Sequence, residues 1–284
     1  GTWRWLCCAY FASTNYTGLD ERTQRVRKRT LELTWDELAP NSTEVTYADC
    51  PANRLNARLI RVLRDRKSEV PESANARLKA IRAVFVWACP DHVAINPARD
   101  VRFLKSKRQG GFKAWSDADI VQFEARHPLG TKARLALALL LYTGQRRSDI
   151  VVFGRQHVKA GWLHFIQHKN RKRSPVALQL PILPELQSVI EQSPAGDMTF
   201  LVTEFGRPFT NNGFGNWFGD RCREAGLKER SAHGLRKAAA RRLAEWGATT
   251  EQIKAWCRWK TAKEADRYLR EVNQRKLAGS VTSV

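Results

Sequence analysis

Helical periodicity runs through this chain except between residues 151 and 182, and that interruption does most to limit what it can fold into. There the stretch VKAGWLHFIQHKNRKRSPVALQLPI offers two short β-like runs, WLHFIQ and VALQLPI, around the polar, basic turn HKNRKRS. Two strands alone are marginal in water. They read as a hairpin, or as two edges of a small sheet, packed on helices. The expected class is therefore mostly α with a small β-sheet, an α+β fold.

With 284 residues the chain is long enough for two modest domains, since single cores stop growing at roughly 250 to 300 residues. Residues 1–104 read as an all-helical unit. One amphipathic run, DERTQRVRKRTLELTWDEL, starts at Asp20; another, ESANARLKAIRAVFVWAC, repeats Leu78, Ile81, Phe85 and Ala88 at helical spacing and stops before Pro90. Residues 105–113, KSKRQGGFK, carry basic residues, paired glycines and no apolar period, and read as a linker. Ser116 with Asp119 imitates a capping box and opens a second domain over 114–284. Its helices are expected near 116–126, 130–143, 184–193, 211–225, 233–246, 250–258 and 262–276. Gly1 leads straight into the apolar TWRWLCCAYF, which reads as the inside of a structured element, so a further segment is expected upstream.

Charge narrows the partners. There are 49 Lys and Arg against 28 Asp and Glu, a formal net charge of +21, which favours polyanions and nucleic acid first among them. The longest apolar run, LALALLLY at 135–142, is far short of the roughly 20 residues that cross a bilayer, and no signal-peptide pattern opens the chain. A cytoplasmic, membrane-free protein is expected. Cys7, Cys8, Cys50, Cys89, Cys222 and Cys257 include no CxxC pair and read as reduced packing residues, with no metal site. The sequons at Asn15 and Asn41 are discounted as chance. The cations Arg22, Arg25, Arg27, Lys28 and Arg29 form either a solvated helix face or a DNA-facing one, Arg25 and Lys28 being the candidates for contact.

Chemistry gathers in the second half. In SAHGLRKAAARRLAEWG, His233 and Arg236 lie three apart at the start of a helix, so they project alike from an end already disposed to hold an anion. Taken singly, such a pair is more often a capping histidine and a solvated arginine. In LLLYTGQRRSD, Thr143-Gly144 ends an apolar helix and Arg146 follows, with Asp149 three further on; an arginine beside a carboxylate is a pre-oriented phosphate ligand. The stretch alone could be an ordinary helix ending. QHKNRKR sets Lys169 at a hairpin turn, followed by Arg171, Lys172 and Arg173, which could equally be a charged β-turn. In WCRWKTAKEADRYLREV, Trp259 precedes Tyr268 on a polar helix, where tyrosine would normally be half-buried packing.

In this order the fragments TGQR, QHKN, HGLR, WKT and ADRY resemble the tyrosine recombinases, the phage integrase family. The motifs span about 115–276, and the N-terminal helices look like the family's core-binding, SAM-like domain. The resemblance implies that Arg146 and Arg236 clamp the scissile phosphate and that Tyr268 is the nucleophile, leaving a 3′-phosphotyrosyl link and a free 5′-hydroxyl. It implies Lys169 as general acid to the departing 5′-oxygen, His233 as an aid to proton transfer at the tyrosine, and Trp259 as a packing and N–H donor beside the phosphate. Asp149 would orient Arg146 or His233 from behind. Neither metal nor cofactor nor ATP is implied. Double-stranded DNA carrying specific sites, a homotetramer on two such sites, a tail VNQRKLAGSVTSV packed on a neighbour, an accessory DNA-bending factor and a bacterial nucleoid setting are.

Two positions depart from the family pattern. Arg258-Trp259 stands where Gly-His is commoner, and such a Gly often takes φ > 0, which arginine adopts at a cost. KAAARR follows HGLR where an aromatic or polar continuation is usual. The expected function is integration or excision of a mobile element by site-specific strand exchange. The alternatives are a catalytically impaired DNA-binding protein on the same fold, a type IB topoisomerase-like DNA-relaxing enzyme, and a basic RNA-binding or ribosome-associated protein.

Overall fold

The computed structural model describes residues 1–105, 111–168, 175–259 and 261–281, without the side chains of 267, 271 and 275–281. The chain divides into two compact units, Gly1–Gln109 and Gly110–Val284.

The first unit is helical: α1 (Trp3–Ala12), α2 (Thr14–Thr17), α3 (Glu21–Glu32), α4 (Ala57–Asp65) and α5 (Pro71–Ala88). Its core is aromatic and aliphatic, with Trp3, Leu6, Tyr10, Leu31, Leu63 and Phe85 among the buried residues. The positions expected to recur on α5, Leu78, Ile81, Phe85 and Ala88, are all fully buried. The run starting at Asp20 is shorter than its periodicity suggests. α3 stops at Glu32 because Thr34 turns its hydroxyl back to the Leu31 carbonyl (2.6 Å) and takes the Trp3 indole N–H (2.8 Å), a buried exchange that competes with helix propagation.

In the second unit Ser116 and Asp119 form the capping box expected of them: the Ser116 hydroxyl accepts the Asp119 N–H (3.1 Å) and the Asp119 carboxylate accepts the Ser116 N–H (2.6 Å). There follow α6 (Asp117–Arg126), α7 (Lys132–Thr143), α8 (Arg147–Ile150), strands β1 (Val158–Lys159), β2 (Trp162–Ile166) and β3 (Ala177–Pro181), then α9 (Pro184–Gln192), α10 (Asn211–Glu224), α11 (Ala232–Glu245), α12 (Thr250–Cys257) and α13 (Ala262–Val281). The strands form one antiparallel sheet of order β1-β2-β3, with Phe165 opposite Leu178. β1 adds a third strand to the expected hairpin. It is two residues long, too short to leave a periodic trace in the sequence.

α7 is the spine of this unit, its residues from Leu135 to Leu141 all buried, with α11 packed along it. A smaller core, Ala240, Ala244, Ile253, Cys257, Ala265, Tyr268 and Val272, binds α13 to α11 and α12. Of the stretch read as linker, 106–110 lie outside the described residues. Phe112 and Lys113 belong to the second unit: the Phe112 carbonyl accepts the Lys237 ammonium (2.5 Å), and Lys113 pairs with Glu229. Among the described residues no helix is long and apolar enough to cross a membrane.

Candidate active site

Three chain segments meet at the buried end of α7. Gly144 ends the helix at φ 62°, ψ 17°, a left-handed conformation that favours glycine, and packs closely on Ala239 and Cys257. The chain then turns through Gln145 to Arg146, which sits in extended backbone (φ −74°, ψ 152°) ahead of α8. One guanidinium nitrogen of Arg146, Nη1, is buried with no hydrogen-bond partner among the described residues. A cationic donor left in that condition is costly, and an arriving anion removes the cost.

Arg236, on the second turn of α11 and only 3% exposed, faces the same place. Its Nη1 donates to the Gly144 carbonyl (2.6 Å) and its Nη2 to the Cys257 carbonyl. One guanidinium thus ties the end of α7 to the end of α12. Its carbon also lies 5.7 Å over the Trp259 ring, and Trp259 stacks on Tyr268 with centroids 5.6 Å apart at 15°. Arginine, tryptophan and tyrosine are contiguous, with Tyr268 buried at 9% exposure. Burial pushes the neighbouring Cys257 thiol up to about 11, which keeps it protonated and out of nucleophilic competition.

α11 starts where it does because Gly234 allows it. A Cβ at that position would lie 2.3 Å from the Lys113 carbonyl and 2.8 Å from Trp115 Cδ1, while the Trp115 indole donates to the Ser231 carbonyl (3.0 Å). His233 and Arg236 leave the helix on one side but end at different depths: Arg236 is buried, and His233 is exposed with its ring against Phe112 at 4.7 Å. Partial loss of water, then the charges of Arg236, Lys237, Arg146 and Arg147, hold the imidazole below its ordinary 6.5. The folded chain therefore prefers neutral His233. That preference supports the fold fully above the unfolded value and is lost as pH falls through the lowered folded value. In an NMR titration of the free protein the His233 midpoint is expected below 6.5, rising when DNA supplies phosphate charge; a midpoint at or above 6.5 without DNA would contradict the cation cluster.

Asp149 is 1% exposed. It accepts the His168 backbone N–H (2.7 Å), and its other oxygen has no hydrogen-bond partner among the described residues. Burial pushes its carboxyl above the ordinary value, against that bond and the nearby Arg146 and Arg236 charges. It fastens the exit of β2 and lends negative potential to both arginines. Lys169, Arg171, Lys172 and Arg173 lie outside the described residues. Arg25 and Lys28 stand exposed on α3 in the other unit, Lys28 3.8 Å from Glu32. Among the described residues no group of three or more His, Cys, Asp or Glu could hold a metal ion.

Arg258 takes φ 51°, ψ 53°, the left-handed conformation anticipated for a glycine position. Both its N–H and that of Trp259 (3.1 Å) donate to the Lys254 carbonyl, which closes α12 and aims Trp259 inward. Arg258→Gly is expected to raise stability by about 1 kcal/mol, a few degrees in Tm for this size. An unchanged or lower melting temperature would show that the arginine side chain compensates its backbone.

Sequence reasoning missed Gln145. It is fully buried, and donates to the Thr143 (3.0 Å) and Trp256 (2.9 Å) carbonyls. Between a glycine and an arginine it looks like a polar spacer, and nothing local marks it otherwise.

Arg236 and the buried Arg146 nitrogen lie near a tyrosine stacked on a tryptophan, on a helical scaffold with a small sheet. The pattern of the phage integrase family matches residues 118–275, more than half of the chain, and the chain belongs to that family. It is thus a tyrosine recombinase, a site-specific DNA strand transferase. Among solved structures, a lambda integrase dimer bound to a COC′ core site is similar at TM-score 0.76 and 15% identity, over 92% of this chain and 96% of that one. The integrase of transposon Tn1549 with transposon right end DNA is similar at 0.75 and 15%, over 98% and 100%. A lambda integrase tetramer bound to a Holliday junction is similar at 0.74 and 17%, over 94% and 76%. No curated protein sequence matches this chain.

Proposed function

We propose that this recombinase cuts and rejoins duplex DNA through a 3′-phosphotyrosyl intermediate on Tyr268, using neither metal nor ATP. The observation that carries this reading is the buried Arg146 nitrogen, without a hydrogen-bond partner among the described residues, near the buried Arg236. Fixed cations there stabilise charge building on the non-bridging oxygens without reorganising at the moment of reaction. Tyr268 attacks phosphorus, the 5′-oxygen departs with a proton from Lys169, and the phosphodiester energy is held in the covalent link for rejoining. Neutral His233 accepts the phenolic proton. Trp259 holds the tyrosine ring by stacking, and Asp149 tempers the two arginines.

The residues 1–104 act as a core-binding domain, with Arg25 and Lys28 on phosphates, while the basic turn with Arg171, Lys172 and Arg173 adds contacts in the catalytic domain. Binding is then strongly salt-dependent. The lambda integrase tetramer bound to a Holliday junction supports a homotetramer; its action on two sites, the C-terminal tail on a neighbour and an assisting DNA-bending factor complete the proposal.

The test is incubation with nicked DNA carrying the element's own junction, in EDTA and without nucleotide. A denaturation-resistant adduct linked at the 3′-phosphate, with a free 5′-hydroxyl, is expected. Salt-sensitive binding without any adduct would favour a DNA-binding protein on the same fold. Relaxation of supercoiled DNA lacking the junction would favour the topoisomerase-like alternative.

A further inference from the structure

The carbonyls of Thr143 and Gly144 close α7 and those of Trp256 and Cys257 close α12, and a carbonyl so near a helix C-terminus has no donor within its own helix. Two side chains serve all four. Gln145 donates from Nε2 to the Thr143 (3.0 Å) and Trp256 (2.9 Å) carbonyls, and Arg236 donates to the next carbonyl along each segment, Gly144 (2.6 Å) and Cys257. The Gln145 amide has one satisfied orientation, because carbonyls only accept and its own oxygen accepts from Gln167 Nε2 at 2.8 Å. Gln167 is itself fixed by its backbone N–H on the Val176 carbonyl (3.0 Å). Gln145 is fully buried, with Gln167 and Arg236 nearly so, and a bond lost here leaves its partner dry.

We infer that Gln145 is a positioning residue for Arg236: it takes one carbonyl at each helix end, and so leaves guanidinium donors free for a phosphate instead of drawn back into the protein. Both helix ends are the negative poles of their dipoles, and a cation between them is pulled inward. An arginine has five N–H donors, and each further carbonyl it serves is a donor withdrawn from an anion. A methionine at 145 would fill a similar length without desolvating an amide, so packing alone does not call for glutamine. With methionine there, the Thr143 and Trp256 carbonyls lose their Gln145 donor, and Arg236, already bonded to the adjacent pair, is placed to serve them. The inference rests on the proposed role of Arg236 in holding the scissile phosphate.

The experiment compares Gln145→Met, Arg236→Ala and wild type in single-turnover cleavage of the nicked junction DNA, and of the same DNA with an uncharged methyl replacing one non-bridging oxygen of the scissile phosphate, each diastereomer separately. Removing the charge that a fixed cation neutralises removes the need for that cation. Relative to wild type on the same DNA, Gln145→Met is expected to cleave the phosphate about 100-fold more slowly, the scale of a misplaced group, and to recover most of that loss on the diastereomer that relieves Arg236→Ala. Its DNA affinity stays close to wild type. If Arg236→Ala is relieved while Gln145→Met is unimpaired, equally slow on every substrate, or relieved only on the other diastereomer, Gln145 does not act through Arg236 and the arginine's role stands. If neither diastereomer relieves Arg236→Ala, the phosphate role fails and takes the inference with it. Should Gln145→Met not fold, Gln145→Asn keeps the amide but falls one methylene short, and the same pattern is required of it.

Discussion

Tyr268→Phe is expected to abolish the covalent protein–DNA adduct, a loss of at least about 10⁴-fold in cleavage, while binding and folding stay close to wild type. The phenyl ring keeps its stack on Trp259 and its place in the small core with Ala244, Ile253 and Ala265, so helix α13 stays docked. Removing one hydroxyl costs stability about 1 kcal/mol. The contrast between intact binding and absent chemistry is what distinguishes a nucleophile from a packing tyrosine. The measurement is denaturing electrophoresis of the end-labelled junction DNA beside an equilibrium binding curve. An adduct surviving in the variant would place the nucleophile on another residue.

Arg236→Ala is expected to fail in both respects. The Gly144 and Cys257 carbonyls lose their shared donor in a buried setting, a cost of about 2–3 kcal/mol visible as a lower melting temperature. On the proposed mechanism the scissile phosphate loses one of its two fixed cations, worth about 10²–10³ in rate. Slackening at Gly144, two residues before Arg146, disturbs the remaining cation as well, so the total should exceed that range. Arg236→Lys restores charge but not the fork, since an ammonium has no planar geometry to span two carbonyls and a phosphate. It should bind DNA yet remain impaired. A lysine variant with wild-type cleavage would mean that charge alone matters and that the tie between α7 and α12 is incidental.

Much of this was legible in the residues themselves. The period change at 151–182, the capping box at Ser116, the stop after Thr143-Gly144 and the αL demand at Arg258 are local, and short-range sterics and hydrogen bonding settle them wherever they occur. The motif residues Arg146, His233, Arg236 and Tyr268 carry unusual chemistry at recognisable spacing, so their types announce them.

What lay beyond the sequence is of another kind. Phe112 and Lys113 read as linker, because their composition is that of one, yet they pack on the second unit through partners more than a hundred positions away. Asp149 reads as a neighbour of Arg146, and folding also gives it the His168 N–H. Arg236 and His233 share a face and a motif, but only the tertiary core decides that one is buried and the other exposed. Gln145, silent in the sequence, becomes the junction of three segments because α7, the β2 exit and the end of α12 converge on it. Chain-local preferences determined the helices, the turns and the chemical cast. Long-range packing decided which polar groups lost water, and in a dry site that loss makes an arginine, an amide or a carboxylate take its partner.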